Sequence, residues 1–260
     1  KKFRRIAEAF AGLRGLLESP RYANTSKVIL VVSTQPEEGK TITASNLALS
    51  FALSGKKTLL IDFDLRRPRV ARIYNVADQI TSENNLIEVL DDPEETDFSN
   101  VPIDSGFENL DLIVSAVSSS ISPANVIGSE KLRYFFDWVR ANYDHVVIDS
   151  PPYGLVSDAI RLGSFSDAVM IVCRPNKSRF GLVRHAISAL KESGSNVIGV
   201  VVNEVNFNQA NAFTAGGYNS YSNYSKDGKY GGRYGYGYGS YYKRAAKDDI
   251  AVVNTQKDEE

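Results

Sequence analysis

Val28-Ile29-Leu30-Val31-Val32-Ser33-Thr34-Gln35-Pro36-Glu37-Glu38-Gly39-Lys40-Thr41 is the stretch that decides how this chain folds. Its first six residues form an apolar run closed by a serine, as in a strand buried on both faces. From Lys40 to Leu53 apolar residues recur at helical spacing, and Gly55 follows as a stop. A strand, a short loop ending Gly-Lys-Thr and a helix are the setting of a phosphate-binding loop, because helix-start N–H groups and the helix dipole favour an anion there. In that reading Lys40 reaches the β- and γ-phosphates of a nucleotide and the Thr41 hydroxyl ligates Mg²⁺. The match is incomplete: six residues before the lysine, where the full pattern has glycine, stands Thr34. Taken alone, the motif also fits a surface lysine at a helix N-terminus.

Outward from this stretch, apolar runs alternate with helical patterns. Thr58–Phe63, Leu110–Ser115, Val146–Asp149, Ala168–Cys173 and Val197–Val202 read as further strands. Glu130–Asn142, Val156–Leu162 and Phe180–Ser193 read as helices between them, and residues 6–17 as an N-terminal amphipathic helix. Residues 76–109 are polar and are expected to hold a short helix and loops. Doubly buried strands separated by helices predict an α/β sandwich with a mainly parallel sheet and helices on both faces. The expected organisation is an N-terminal helix and linker over 1–26, the α/β domain over 27–206, and a tail over 207–260.

Two strands end in carboxylates. Leu59-Leu60-Ile61-Asp62-Phe63-Asp64 carries two acids at spacing two, which point the same way on an extended chain. Val146-Val147-Ile148-Asp149-Ser150-Pro151-Pro152 is an apolar strand ending in Asp149, a Walker B arrangement. Asp62, Asp64 and Asp149 at the carboxyl ends of parallel strands, beside an anion loop, make a Mg²⁺ site physically sensible. An acid at a strand end also serves simply to cap the next helix, and that remains the plain reading of any one of them.

Composition narrows the class. The 260 residues are 43% hydrophobic and 23% charged, with a net charge of −1, so nothing points to a nucleic-acid partner. The single cysteine, Cys173, excludes an internal disulfide and any multi-thiolate zinc site, and its apolar neighbours predict a buried thiol. His145 reads as a strand-start residue and His185 as a helix residue. No apolar run approaches the ~18 residues of a membrane span. The basic start, Lys1-Lys2-Phe3-Arg4-Arg5, suits either a solvated helix start or a segment just inside a preceding membrane helix.

From about Phe207 the character changes. Residues 218–242 hold nine of the fourteen tyrosines, interleaved with Gly, Ser and Asn. With few aliphatic residues and no amphipathic period, the segment is expected to be a flexible tail.

Four features together resemble the bacterial tyrosine kinases, the kinase domains of capsule and exopolysaccharide co-polymerases. They are Pro36 to Thr41, the segment Leu60-Ile61-Asp62-Phe63-Asp64-Leu65-Arg66-Arg67-Pro68, the Walker B strand, and the tyrosine cluster. The likeness spans roughly residues 6–242. It implies a fold like the MinD and ParA ATPases and an autokinase using ATP and Mg²⁺. It implies nucleotide contacts from Glu38, Gly39, Lys40, Thr41 and Ile42, with Asn203 at the adenine. It implies Thr41, Asp62, Asp64 and Asp149 serving the metal, and Lys40, Asp62 and Asp64 as catalytic, with Asp62 favoured as acceptor of the tyrosine proton. Tyr218, Tyr221, Tyr224, Tyr230, Tyr234, Tyr236, Tyr238, Tyr241 and Tyr242 would be phosphoacceptors. The implied location is the cytoplasmic face of the bacterial inner membrane, with a transmembrane co-polymerase segment, a cognate tyrosine phosphatase and other copies of the chain as partners.

Two positions depart from the family pattern. Glu37 replaces a usual glycine, and its carboxylate is expected to point away from the phosphates. In the N-terminal helix the family's Glu-x-x-Arg-x-x-Arg, which docks subunits into a ring, reads Glu8, Ala11, Arg14, which counts against ring assembly.

The tail is long enough to reach a neighbour's site: about ten residues precede Tyr218, roughly 30 Å if extended. Full phosphorylation would add about 14 to 18 negative charges and disfavour packed subunits, an assembly switch. Two rivals stand beside this reading. A ParA- or MinD-like ATPase would carry a second lysine where Gln35 stands, and a non-catalytic nucleotide-binding scaffold is kept open by Thr34 and Glu37.

Overall fold

The computed structural model describes residues 2–22, 26–92, 97–154 and 157–205. The tyrosine cluster and the rest of the 207–260 segment lie outside the described residues. Every strand expected from the sequence forms, and the sheet gains one more. Along the chain the elements are α1 (Lys2–Leu17), β1 (Val28–Ser33), α2 (Lys40–Ala52), β2 (Thr58–Asp62), α3 (Val70–Ile73) and α4 (Leu86–Asp91). They continue as β3 (Ile103–Phe107), β4 (Leu110–Ile113), α5 (Pro123–Gly128), α6 (Lys131–Asn142) and β5 (His145–Asp149). The last four are α7 (Asp158–Gly163), β6 (Ala168–Cys173), α8 (Phe180–Glu192) and β7 (Val197–Val202). The sheet order is β3-β4-β2-β5-β1-β6-β7, parallel throughout except for β3.

The two-residue period of the strands divides the core. Ile29 and Val31 of β1 face α1, α2 and α3, packing with Leu17, Leu47, Phe51 and Val70. Val28, Leu30 and Val32 face α4 to α8, packing with Leu90, Phe135, Phe136, Leu162 and Leu190. Both layers are needed because β1 is buried along its whole length, so neither face of the strand can be left to water.

The connections create the site. The chain leaves β1 through α2 on one face, while β5 returns to β6 through α7 on the other. A crevice therefore opens above the carboxyl end of β1, where ligands bind in open α/β sheets. Register places the acids: Asp62 is directly opposite Asp149 in the parallel β2–β5 pair, and Val31 is opposite Asp149 in β1–β5.

The strand missed by sequence reading is β3. Residues 76–109 contain the expected short helix, α4, but also an antiparallel edge strand. Ile-Asp-Ser-Gly-Phe offers little strand signal: Gly106 takes a positive φ of 78° and only Ile103 and Ser105 are buried. The hairpin to β4 turns through Glu108-Asn109, with Asn109 at φ 64°. An asparagine in a two-residue turn was the available clue.

Helix α1 lies on α2 through Phe10, Leu13 and Leu17. Arg14 of α1 donates to the Ser50 carbonyl at 2.6 Å, tying α1 to α2, and pairs locally with Glu18 at 3.5 Å. Among the described residues no helix is long and apolar enough to cross a membrane.

At the start of β5, His145 stacks on Phe51 with ring centroids 3.9 Å apart, and its Nδ1 lies 3.2 Å from the Ser26 carbonyl. Burial pushes its pKa below the ordinary value, against the opposing pull of Ser26, Glu18 and Asp144. The unfolded chain then binds a proton at a pH where the folded chain does not, so stability falls as pH drops through about 6.5. Measured as the difference from His145→Phe, which keeps the stack and leaves every other titrating group in place, the wild-type thermal midpoint should fall as pH drops from about 7 to 5.

Candidate active site

The loop after β1 is shaped by positive φ values. Gly39 sits at φ 92° and immediately precedes α2. A Cβ there would lie 1.8 Å from Asn203 Nδ2, so glycine is required both for backbone shape and for space. The first backbone bond of α2 runs from Thr43 N–H to the Gly39 carbonyl, which leaves the amides of Gly39 to Ile42 ahead of the helix ladder. Glu37 sits at φ 64°, a left-handed conformation that costs a non-glycine residue about 1 kcal/mol or more. That is the physical reason a glycine suits this position. Its side chain points outward, as expected, and pairs with Lys177 at 2.8 Å.

Lys40 is almost entirely buried, at 6% exposure. Its Nζ lies 2.5 Å from Asp149 Oδ1, 3.5 Å from Thr41 Oγ1 and 3.9 Å from Asp64 Oδ2. Sequence positions 40, 41, 64 and 149 therefore converge. Among the described residues the second Asp149 oxygen, Oδ2, is buried without a hydrogen-bond partner. A buried carboxylate oxygen with no donor is costly unless a cation or donor arrives, so the donor set fits a hard cation held partly by a ligand's own oxygens. Among the described residues no group of three or more His, Cys, Asp or Glu side chains could hold a metal alone. The three aspartates thus do not form a self-sufficient cage.

Asp62 explains why. It has no exposure, and its Oδ2 accepts the N–H groups of Arg69 at 2.8 Å and Val70 at 2.9 Å. Its Oδ1 accepts the Asp64 N–H at 3.1 Å. Asp62 spends its oxygens folding the segment after β2 and starting α3. Burial, then the neighbouring Asp149 charge, pushes its pKa up to about 7. Asp64 is nearer solvent, with 14% of its side chain exposed, and its pKa is raised by burial against the pull of Lys40.

The arginines after Asp64 are partly structural. Arg66 pairs with Asp158 at the start of α7, tying the acidic segment to the chain that follows β5. The backbone N–H of Arg67 returns to Asp64. The partner of Arg66 is 92 residues away, and no local pattern announces it. Asn203 follows β7 and donates to the Glu38 carbonyl at 3.2 Å, beside the anion loop.

With this geometry in place, the comparisons with known proteins speak to one family. A family model described as an AAA domain matches residues 26–197. The tyrosine-protein kinase CpsD of Streptococcus pneumoniae serotype 4 is 35% identical over 179 residues, covering 69% of this chain and 76% of that protein. The chain belongs to the bacterial tyrosine kinases. Among solved structures, the kinase domain of the Escherichia coli tyrosine kinase ETK is 26% identical with a TM-score of 0.67, covering 82% of this chain and 79% of that one. The septum site-determining protein MinD from Pyrococcus horikoshii, complexed with Mg-ADP, is 24% identical with a TM-score of 0.57, covering 68% of this chain and 70% of that one, and shares the fold. The expected P-loop sandwich and its likeness to MinD are both borne out.

The buried Lys40–Asp149 pair makes a measurable claim about this kinase domain. Lys40→Met strands a buried carboxylate and should destabilise the ligand-free chain by roughly 3 to 5 kcal/mol in urea unfolding. Adding Asp149→Asn should return most of that loss without restoring nucleotide binding.

Proposed function

We propose that this tyrosine kinase transfers the γ-phosphate of ATP to tyrosines of its own 218–242 segment, offered by a neighbouring copy of the chain. The observation that carries the reading is the buried Lys40 amine, held on Asp149 at the end of β5 with Asp64 and Thr41 beside it. Phosphoryl transfer asks a protein mainly for position and charge, and these groups supply both.

In the ligand-free chain Lys40 neutralises Asp149. When a nucleotide arrives, Lys40 exchanges that carboxylate for phosphate oxygens, and the amides of Gly39 to Ile42 add donors. Thr41 and Asp149, with Asp64 directly or through water, would hold Mg²⁺. Held there, the ion would supply positive charge against the phosphates. Asp62 serves this set by fixing the segment that carries Asp64. Of the two acids after β2, Asp64 is the better proton acceptor for an incoming tyrosine, because Asp62 is fully buried and engaged with three backbone amides. Asn203, beside the loop, would meet the base.

Nine tyrosines within 25 residues give interchangeable acceptors at high local concentration. Their phosphorylation would drive packed copies apart. Family membership supports a role in capsule or exopolysaccharide synthesis, at the inner face of the membrane beside a co-polymerase segment, with a phosphatase resetting the tail. Ring assembly through α1 is not part of the proposal, since Ala11 cannot supply the missing arginine and Arg14 is bound within its own protomer.

Phosphatase-treated protein given Mg·ATP should gain phosphotyrosine within 218–242 by peptide mapping. Lys40→Met should abolish it. Asp64→Asn should lower kcat by about 10²-fold or more. A tail-deleted chain with an intact site should phosphorylate the tail of a Lys40→Met chain if transfer runs between copies. Phosphate release with no phosphotyrosine would refute the kinase reading.

A further inference from the structure

Glu38 is a charged residue in the wrong place for a charge. It has no exposure and lies in the loop that would wrap a polyanion, where a carboxylate repels phosphate. Four protein donors gather around it. Its Oε2 accepts the backbone N–H groups of Thr34 at 2.7 Å and Gln35 at 2.9 Å. Its Oε1 accepts the Thr34 hydroxyl at 2.9 Å, which also lies 3.2 Å from Oε2, and the Ser178 hydroxyl at 2.5 Å. Ser178 comes from the β6–α8 connection, so the carboxylate ties the first residues of the loop to its last turn and to a neighbouring segment. Thr34 occupies the position where the full P-loop pattern has glycine, and its hydroxyl is satisfied by this one side chain.

We propose that Glu38 is a positioning residue for the nucleotide phosphates, acting as a hydrogen-bond acceptor within the loop and not through its charge. It keeps the chain from Thr34 to Gly39 coiled so that the amides ahead of α2 face the ligand, and it offsets the absence of glycine at position 34. The proposal rests on the reading of this loop as the nucleotide site.

The donors make the idea separable from an electrostatic role. The two backbone N–H groups only donate, and both fall on Oε2. The two hydroxyls on Oε1 can donate or accept. Glutamine at position 38 can therefore keep every bond, its carbonyl oxygen taking the two amides and its NH₂ donating to the reoriented hydroxyls. Alanine leaves the buried Thr34 amide and the half-buried Gln35 amide without this acceptor.

The test uses the full chain and three readouts. In nucleotide-free protein, hydrogen exchange at the Thr34 and Gln35 amides should quicken about tenfold or more in Glu38→Ala and stay within about twofold of wild type in Glu38→Gln. In steady-state kinetics Glu38→Ala should raise KM for ATP by about tenfold or more while kcat at saturating ATP falls less than about threefold, because Lys40 and Asp64 are untouched. Glu38→Gln should bind Mg·ADP as tightly as wild type or tighter. Ser178→Ala, which removes one donor to Glu38 along with the acceptor of the Arg174 N–H and leaves the loop sequence intact, should weaken Mg·ADP by about threefold even if Glu38→Ala fails to fold. Glu38→Gln behaving like Glu38→Ala, or Glu38→Ala and Ser178→Ala both matching wild type, would overturn the proposal. A wild-type chain that binds no Mg·ADP would overturn the underlying functional reading instead, and the exchange measurement would still report on the role of Glu38 in the loop.

Discussion

A lysine and an aspartate with almost no solvent contact, 109 residues apart in sequence, meet 2.5 Å apart above the centre of the sheet. Desolvating both charges is expensive, and only close pairing makes it tolerable. The sheet order exists in a form that permits this contact. β1 and β5 must be neighbours, parallel and in register, for the residue after one strand's loop to reach the last residue of the other. The α2 and α7 crossovers must lie on opposite faces for the crevice above them to be open.

The same pair accounts for the behaviour of the acids around it. Asp62 faces Asp149 across the β2–β5 ladder, and burial together with the Asp149 charge so close disfavours ionisation of Asp62. Lys40 offsets that repulsion from above, while the backbone amides of Arg69 and Val70 take up Asp62 from the side. The result is a division of labour among three acids that look equivalent in the sequence. One is consumed by the fold, one holds the lysine with an oxygen to spare, and one stands at the opening.

The anion loop is braced in a comparable way. Glu37 and Glu38 are identical side chains one residue apart, yet one is exposed and reaches Lys177 while the other has no exposure and gathers four donors. The left-handed φ of Glu37 turns the chain so that consecutive side chains face opposite environments. Both contacts involve the 174–178 connection, as does Arg174, which pairs with Glu204 just past β7 at 2.5 Å. The loop's shape is therefore held by segments whose partners lie some 140 residues away.

The sequence by itself determined the layered α/β plan, six of the seven strands, the phosphate loop and the family. Those features rest on local signals: apolar runs bounded by polar residues, a glycine ahead of a lysine, acids at strand ends. It could not reveal β3, where a glycine and two polar residues mask a strand that exists only because β4 offers it an edge. Nor could it tell Asp62 from Asp64, or Glu37 from Glu38, because burial and hydrogen-bond partners decide the role of an acid and both are supplied by distant chain. Tertiary structure alone decided which carboxylates serve the fold and which face the site, since in a low-dielectric crevice each buried charge is governed by its few nearest donors and countercharges.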